Sequence, residues 1–229
     1  MNDERLTGSP FLTLKPLGMG YPHWPAALAD LASVSHHPKG SRLSQVGDRA
    51  SDIIFLMKGS IMDSIANTNG LEKCTLTFAP YPHWLAPAWH DLPLLYASTA
   101  YTDVTLWQIS REKLSNIMKE SPEFLSFIMR FFALESRRLY HQSYLQYTMP
   151  STMKIAQTLA FYHYLREEEV IPDLRLTQSL IAQLSGVHRT SVAQSLQTLR
   201  SKGLIGNQPA SPLTQTQGLA LEEYAFKRT

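Results

Sequence analysis

Between two stretches of helical periodicity the chain reads Ser185-Gly186-Val187, and this turn constrains the fold more than any other feature. Upstream, "LTQSLIAQL" offers Thr177 as an N-cap and spaces Leu180, Ile181 and Leu184 as a helix does. Downstream, in "HRTSVAQSLQTL", a helix turning about 100° per residue puts Val192, Leu196 and Leu199 on one side. Thr190, Gln194 and Gln197 then face the opposite way. Gly186 can take the positive φ of a sharp helix-to-helix junction. The stretch predicts a helix-turn-helix.

From Arg175 to Lys202 the segment carries Arg175, Arg189, Arg200 and Lys202 and no carboxylate, so a phosphate backbone approaching it meets no repulsion. The expected partner is double-stranded DNA; a role in protein contacts would be favoured by an acidic or apolar outer face, which this run does not supply. Candidate DNA-binding residues are Thr177, Gln178, His188, Arg189, Thr190, Ser191, Gln194 and Gln197. Gly203 ends the second helix, Leu204-Ile205 reads as the start of a strand, and Leu219-Ala220-Leu221 reads as its partner. A two-stranded wing is therefore expected after the second helix.

At 229 residues the chain is too long for a lone winged helix, and a net charge of +2 makes any DNA affinity local. One cysteine, Cys74, excludes an internal disulfide and an all-cysteine zinc or iron-sulfur site within one chain. There is no signal peptide pattern and no run of 18 apolar residues, so a cytoplasmic protein without a membrane partner is expected.

Residues 1–20 read as a flexible arm. Residues 21–120 hold short strands, among them Ile53-Ile54-Phe55-Leu56 and Cys74-Thr75-Leu76-Thr77-Phe78, punctuated by turns near Gly47, Gly59 and Gly70. That texture predicts a small β-roll. Residues 121–149 form one long helix opened by Pro122 and closed before Pro150, apolar nearly all round in its first half. Such a helix needs cover on more than one side, so a homodimer along Leu125, Ile128, Phe132 and Leu139 is expected. Residues 150–229 make the C-terminal winged helix-turn-helix domain, and the fold class is α+β.

The order of parts, with "GDRASDIIFLMKGSI", "ESRRLYHQS", "IAQTLA" and the helix-turn-helix, resembles the cyclic AMP receptor protein and fumarate-nitrate regulator (CRP/FNR) family of bacterial transcription regulators over residues 30–205. The resemblance implies a homodimer on an inverted-repeat operator and RNA polymerase as a further partner. It implies that Arg189 contacts a guanine, that Gln194 suits an adenine, and that Thr177 bonds a phosphate.

The departures bear on the effector. Cyclic-nucleotide-binding members carry a Gly-Glu pair for the ribose and an Arg-Ser or Arg-Ala pair for the phosphate. His83-Trp84 and Leu94-Leu95 stand there instead, and no Lys or Arg occurs from Cys74 to Ser110. A buried cyclic phosphate would lose charge-assisted bonds of roughly 1.5–3 kcal/mol each, so a cyclic nucleotide is rejected. Trp84, Leu85, Trp89, Leu94 and Leu95 either fill the pocket or enclose an apolar effector of unknown identity. Two sensing alternatives remain: His83 sits where a haem-binding relative places an axial ligand, and Cys74 is open to oxidation. No cofactor and no metal site are expected. A small-barrel metalloenzyme is the remaining rival, yet the histidines show no His-x-His pair and no catalytic triad signature is present, so no catalytic residue is assigned.

Overall fold

The computed structural model describes residues 28–66, 72–83, 85–167, 175–206 and 213–226. The arm at 1–20 lies outside them. The chain forms two compact units, Met1–Ile65 with Thr75–His141, and Ala66–Cys74 with Gln142–Thr229.

The strands are β1 (Ser33–His37), β2 (Arg42–Ser44), β3 (Asp52–Lys58), β4 (Ser60–Ala66), β5 (Glu72–Phe78), β6 (Tyr81–His83), β7 (Ala97–Ala100) and β8 (Val104–Ser110). They make two four-stranded sheets, ordered β1-β8-β3-β6 and β2-β7-β4-β5. β8 lies antiparallel between β1 and β3, pairing Val34 with Trp107 and Phe55 with Trp107 across the first sheet.

The run Ile53-Ile54-Phe55-Leu56 is buried throughout because its sheet is covered on both faces. Successive side chains of a strand point to opposite faces. Ile53, Phe55 and Ile109 therefore join Leu28, Leu114, Phe124, Phe127, Ile128 and Phe131 in one core, while Ile54, Leu56 and Leu106 join Ile61, Ala100 and Val104 in another. The first core uses helices α1 (Leu85–His90), α2 (Arg111–Glu120) and α3 (Pro122–Thr148). Gly59, at φ +83, makes the turn from β3 to β4, and a Cβ there would run into the carbonyl of Asp103.

Helix α3 presents two faces. Phe124, Phe127, Ile128 and Phe131 recur at the 3–4 residue spacing of one stripe and are buried in their own chain. The expectation for Ile128 is thus corrected: at 3 % exposure it belongs to the roll's core. Leu125, Met129, Phe132, Leu139, Tyr140 and Tyr147 are all exposed. At about 100° per residue these six fall within an arc of roughly 100°.

In the second unit α4 (Ser151–Glu167) packs against α5 (Gln178–Ser185), α6 (Arg189–Ser201) and α7 (Gln215–Phe226). Ile155, Ala156 and Leu165 of α4, Val192, Leu196 and Leu199 of α6, and Leu221 and Ala225 of α7 are buried. The expected wing is corrected here: Leu219-Ala220-Leu221 lies within α7, and Leu204-Ile205 is not a strand. The cause is local. Thr214 and Gln217 form a capping box, Gln217 N–H donating to Thr214 Oγ1 at 3.3 Å and Thr214 N–H to Gln217 Oε1 at 3.0 Å. Leu221 and Ala225 then recur one turn apart, and Gly218 lets the helix approach so closely that a Cβ would overlap the ring of His163.

Candidate nucleic-acid interface

The two helices around Gly186 follow from capping chemistry. Thr177 accepts from Leu180 N–H at 3.2 Å, starting α5, and Gly186 caps its end in the left-handed region at φ 66. The N-cap uses a lone pair of the Thr177 hydroxyl and leaves its proton for another acceptor, such as a phosphate. His188 is the N-cap of α6, and its exposed side chain makes no cap hydrogen bond. Helix α6 ends through Gly203 at φ 71, with Leu204 N–H reaching Leu199 O at 3.0 Å.

Laid out at about 100° per residue, α6 divides in half. Val192, Ser195, Leu196 and Leu199 occupy the buried half, where Ser195 also meets Thr152 of α4 at 3.2 Å. Thr190, Ala193, Gln194, Gln197, Thr198 and Ser201 are exposed on the other half, and Arg189 is exposed on the flank, at the helix's first residue. Of the expected DNA-binding residues, Thr177, His188, Arg189, Thr190, Gln194 and Gln197 are exposed, while Gln178 and Ser191 are half-buried at its margin. The hydroxyls of Thr198 and Ser201 are turned back onto the helix, donating to Gln194 O at 3.1 Å and Thr198 O at 2.9 Å. Arg175, Arg189 and Lys202 are exposed cations, whereas Nε and Nη2 of Arg200 are shut off from solvent. The Lys202 ammonium stands 5.6 Å from the centre of the Tyr224 ring.

Inside the β-roll the expected effector residues do not form one set. Leu94 is 1 % exposed and Leu95 is 70 % exposed, because adjacent residues of an extended segment point apart. Leu95 therefore faces solvent rather than a pocket. Trp89 packs against the roll's outer core, and Trp84 and the side chain of Leu85 lie outside what is described. A polar cluster missed in the sequence is found instead. Asp63 of β4 receives the hydroxyl proton of Ser98 at 2.6 Å and stands 3.3 Å from Nε2 of His83, which is 3 % exposed. The rings of Tyr81 and Tyr96 flank His83, each with its centre 6.3 Å away. Burial, aided by the carboxylates of Asp63 and Glu135, pushes the Tyr96 phenol well above its ordinary range. The one sequence signal was an aspartate amid apolar strand residues in "SIMDSIA". Nε2 of His83 is turned to Asp63, and Cys74 is buried. Among the described residues no group of three His, Cys, Asp or Glu is arranged to hold a metal ion, and no helix is long and apolar enough to cross a membrane.

Residues 153–223, which span α5, the turn at Gly186 and α6, match the Crp-like helix-turn-helix domain family. The chain carries a Crp-like helix-turn-helix domain. Solved structures extend the likeness to the whole fold. The c-di-GMP-responsive global regulator CLP of Xanthomonas campestris superposes with a TM-score of 0.65 at 17% identity, covering 80% of this chain and 93% of that one. A transcriptional regulator of the Crp/Fnr family from Eubacterium rectale gives 0.63 at 16%, covering 89% and 98%. FixK2 from Bradyrhizobium japonicum gives 0.61 at 13%, covering 83% and 96%. No curated protein sequence matches the chain significantly. The match to a Crp-like domain is confined to residues 153–223, and the solved structures share the chain's fold, a β-roll ahead of a helix-turn-helix.

Proposed function

We propose that this CRP/FNR-type chain is a homodimeric transcription regulator that binds inverted-repeat operators and is not controlled by a cyclic nucleotide. The observation that carries the reading is the acid-free, exposed half of α6, held out by α5 and the left-handed Gly186 in a Crp-like domain. Arg189, at the start of α6, reads a guanine, Thr177 holds a phosphate, and RNA polymerase is the downstream partner. The exposed stripe Leu125, Met129, Phe132 and Leu139 on α3 supports pairing with a second copy, since an apolar ridge of that length in water favours association. The absence of any Lys or Arg from Cys74 to Ser110 argues against a cyclic nucleotide, since a buried phosphate needs a cationic partner.

The test is selection of operators from random DNA by the purified full chain. The expected product is an inverted repeat whose half-sites are centred about one helical turn apart, roughly 34–36 Å. Enrichment of no sequence, or of a lone half-site, would overturn the reading.

A further inference from the structure

The exposed half of α6 is poor in the charged groups that read a G·C pair. Guanine is read by Arg or Lys and cytosine N4 by a carboxylate. The exposed half holds no carboxylate, and its one outward guanidinium is Arg189, since Arg200 is partly withdrawn. The hydroxyls of Thr198 and Ser201 give their protons to backbone carbonyls and are left as acceptors only. What faces outward is a pair of primary amides, Gln194 and Gln197, with the hydroxyl of Thr190 and the methyl of Ala193 beside them.

We propose that Gln194 and Gln197 are the specificity-determining residues of this interface and that they select A·T pairs, so each half-site has one G·C pair with A·T pairs two or more steps beyond it. The proposal rests on the reading of α6 as a DNA-binding helix. A glutamine amide donates to and accepts from the adenine edge together, and a small apolar group such as Ala193 suits the thymine methyl. The spacing fits. At 1.5 Å per residue Gln194 lies about 7.5 Å beyond Arg189 along the axis, roughly two base-pair steps of 3.4 Å. Gln197 lies about 4.5 Å further, little more than one step. Adjacent amides thus meet adjacent pairs.

Operator selection with the full chain and with Gln194→Ala, Gln197→Ala, Gln194→Arg and Ser201→Ala tests this, with circular dichroism verifying that each variant folds. The wild type is expected to enrich A·T pairs two to three steps inward of the conserved G·C pair. Each glutamine-to-alanine change should flatten one of those positions and weaken the best site about tenfold. Gln194→Arg should turn its position to G·C, and Ser201→Ala should leave the preferences unchanged. An inverted repeat with G·C at those positions, or unchanged preferences in both alanine variants, overturns the inference while leaving the DNA-binding reading intact. Failure of the wild type to enrich an inverted repeat overturns both.

Discussion

Ser98 donates its hydroxyl proton to Asp63 at 2.6 Å, and Ser98 itself is wholly buried. A hydrogen bond to a charged group contributes roughly 1.5–3 kcal/mol, and its loss leaves a carboxylate oxygen underserved. Ser98→Ala is therefore expected to lower the melting temperature of the full chain by on the order of 5 °C. A melt superimposable on the parent's would mean that water replaces the hydroxyl.

The neighbouring Tyr96 sets an alkaline limit. Its folded pKa is raised, first by burial and then by Asp63 and Glu135, and burial raises that of Tyr101 as well. A raised folded pKa favours the protonated form in the native state. The contribution is fully present below the unfolded value of about 10 and is lost as pH rises above it, because the unfolded chain ionises first. Urea unfolding should show stability falling above about pH 10, and Tyr96→Phe should flatten that fall.

The two faces of α3 separate stability from assembly. Ile128→Ala empties a core position and is expected to cost about 2–5 kcal/mol in chemical denaturation. Leu139→Glu alters an exposed position and is expected to yield a folded monomer by light scattering at micromolar concentration. Monomers from the parent chain, or a Leu139→Glu dimer as tight as the parent's, would contradict the proposed pairing.

Cyclic AMP or cyclic GMP at sub-millimolar concentration should leave both the melting temperature and operator affinity unchanged, because a ligand that binds the native state raises its stability by mass action. A melting shift growing with nucleotide concentration would overturn the proposed independence.

At Gly59 conformation and space act together. The position combines positive φ with the Asp103 carbonyl and the Thr102 hydroxyl at the place of a Cβ. Gly59→Ala should lose more than the roughly 1 kcal/mol of an ordinary left-handed alanine, since backbone must move to admit the methyl. Gly203→Ala, equally positive in φ but with nothing near its Cβ position, serves as the control in the same denaturation experiment.

What was legible in the sequence was local. Thr177, Gly186 and the 3.6-residue period specify α5, the turn and α6 within one short stretch, so reading them needed no tertiary information. Leu219-Ala220-Leu221 was misread because three residues cannot separate a strand period from a helix period. The Thr-x-x-Gln box at Thr214 and Gln217 carried the missing signal. Ile128 shows a different limit: periodicity resolves the faces of a helix, but which face its own chain covers depends on where β3 and β8 lie. The cluster of Asp63, His83 and Ser98 gathers residues from β4 and β7 of one sheet and β6 of the other, so their meeting depends on tertiary packing as well as sheet order.

The pairing of β1 with β8 joins Ser33 to Gln108 and His37 to Val104, partners 75 and 67 residues apart in sequence. Closing loops of that length costs entropy before any contact rewards it. During synthesis β1 waits beside a ribosome for β8, its one partner among the described strands, and β3 waits for the same strand. Helix α3 follows β8 in the chain, so the surface that receives Phe124 and Phe131 is completed just before the helix emerges. Maturation of the roll is thus timed by the arrival of a single strand.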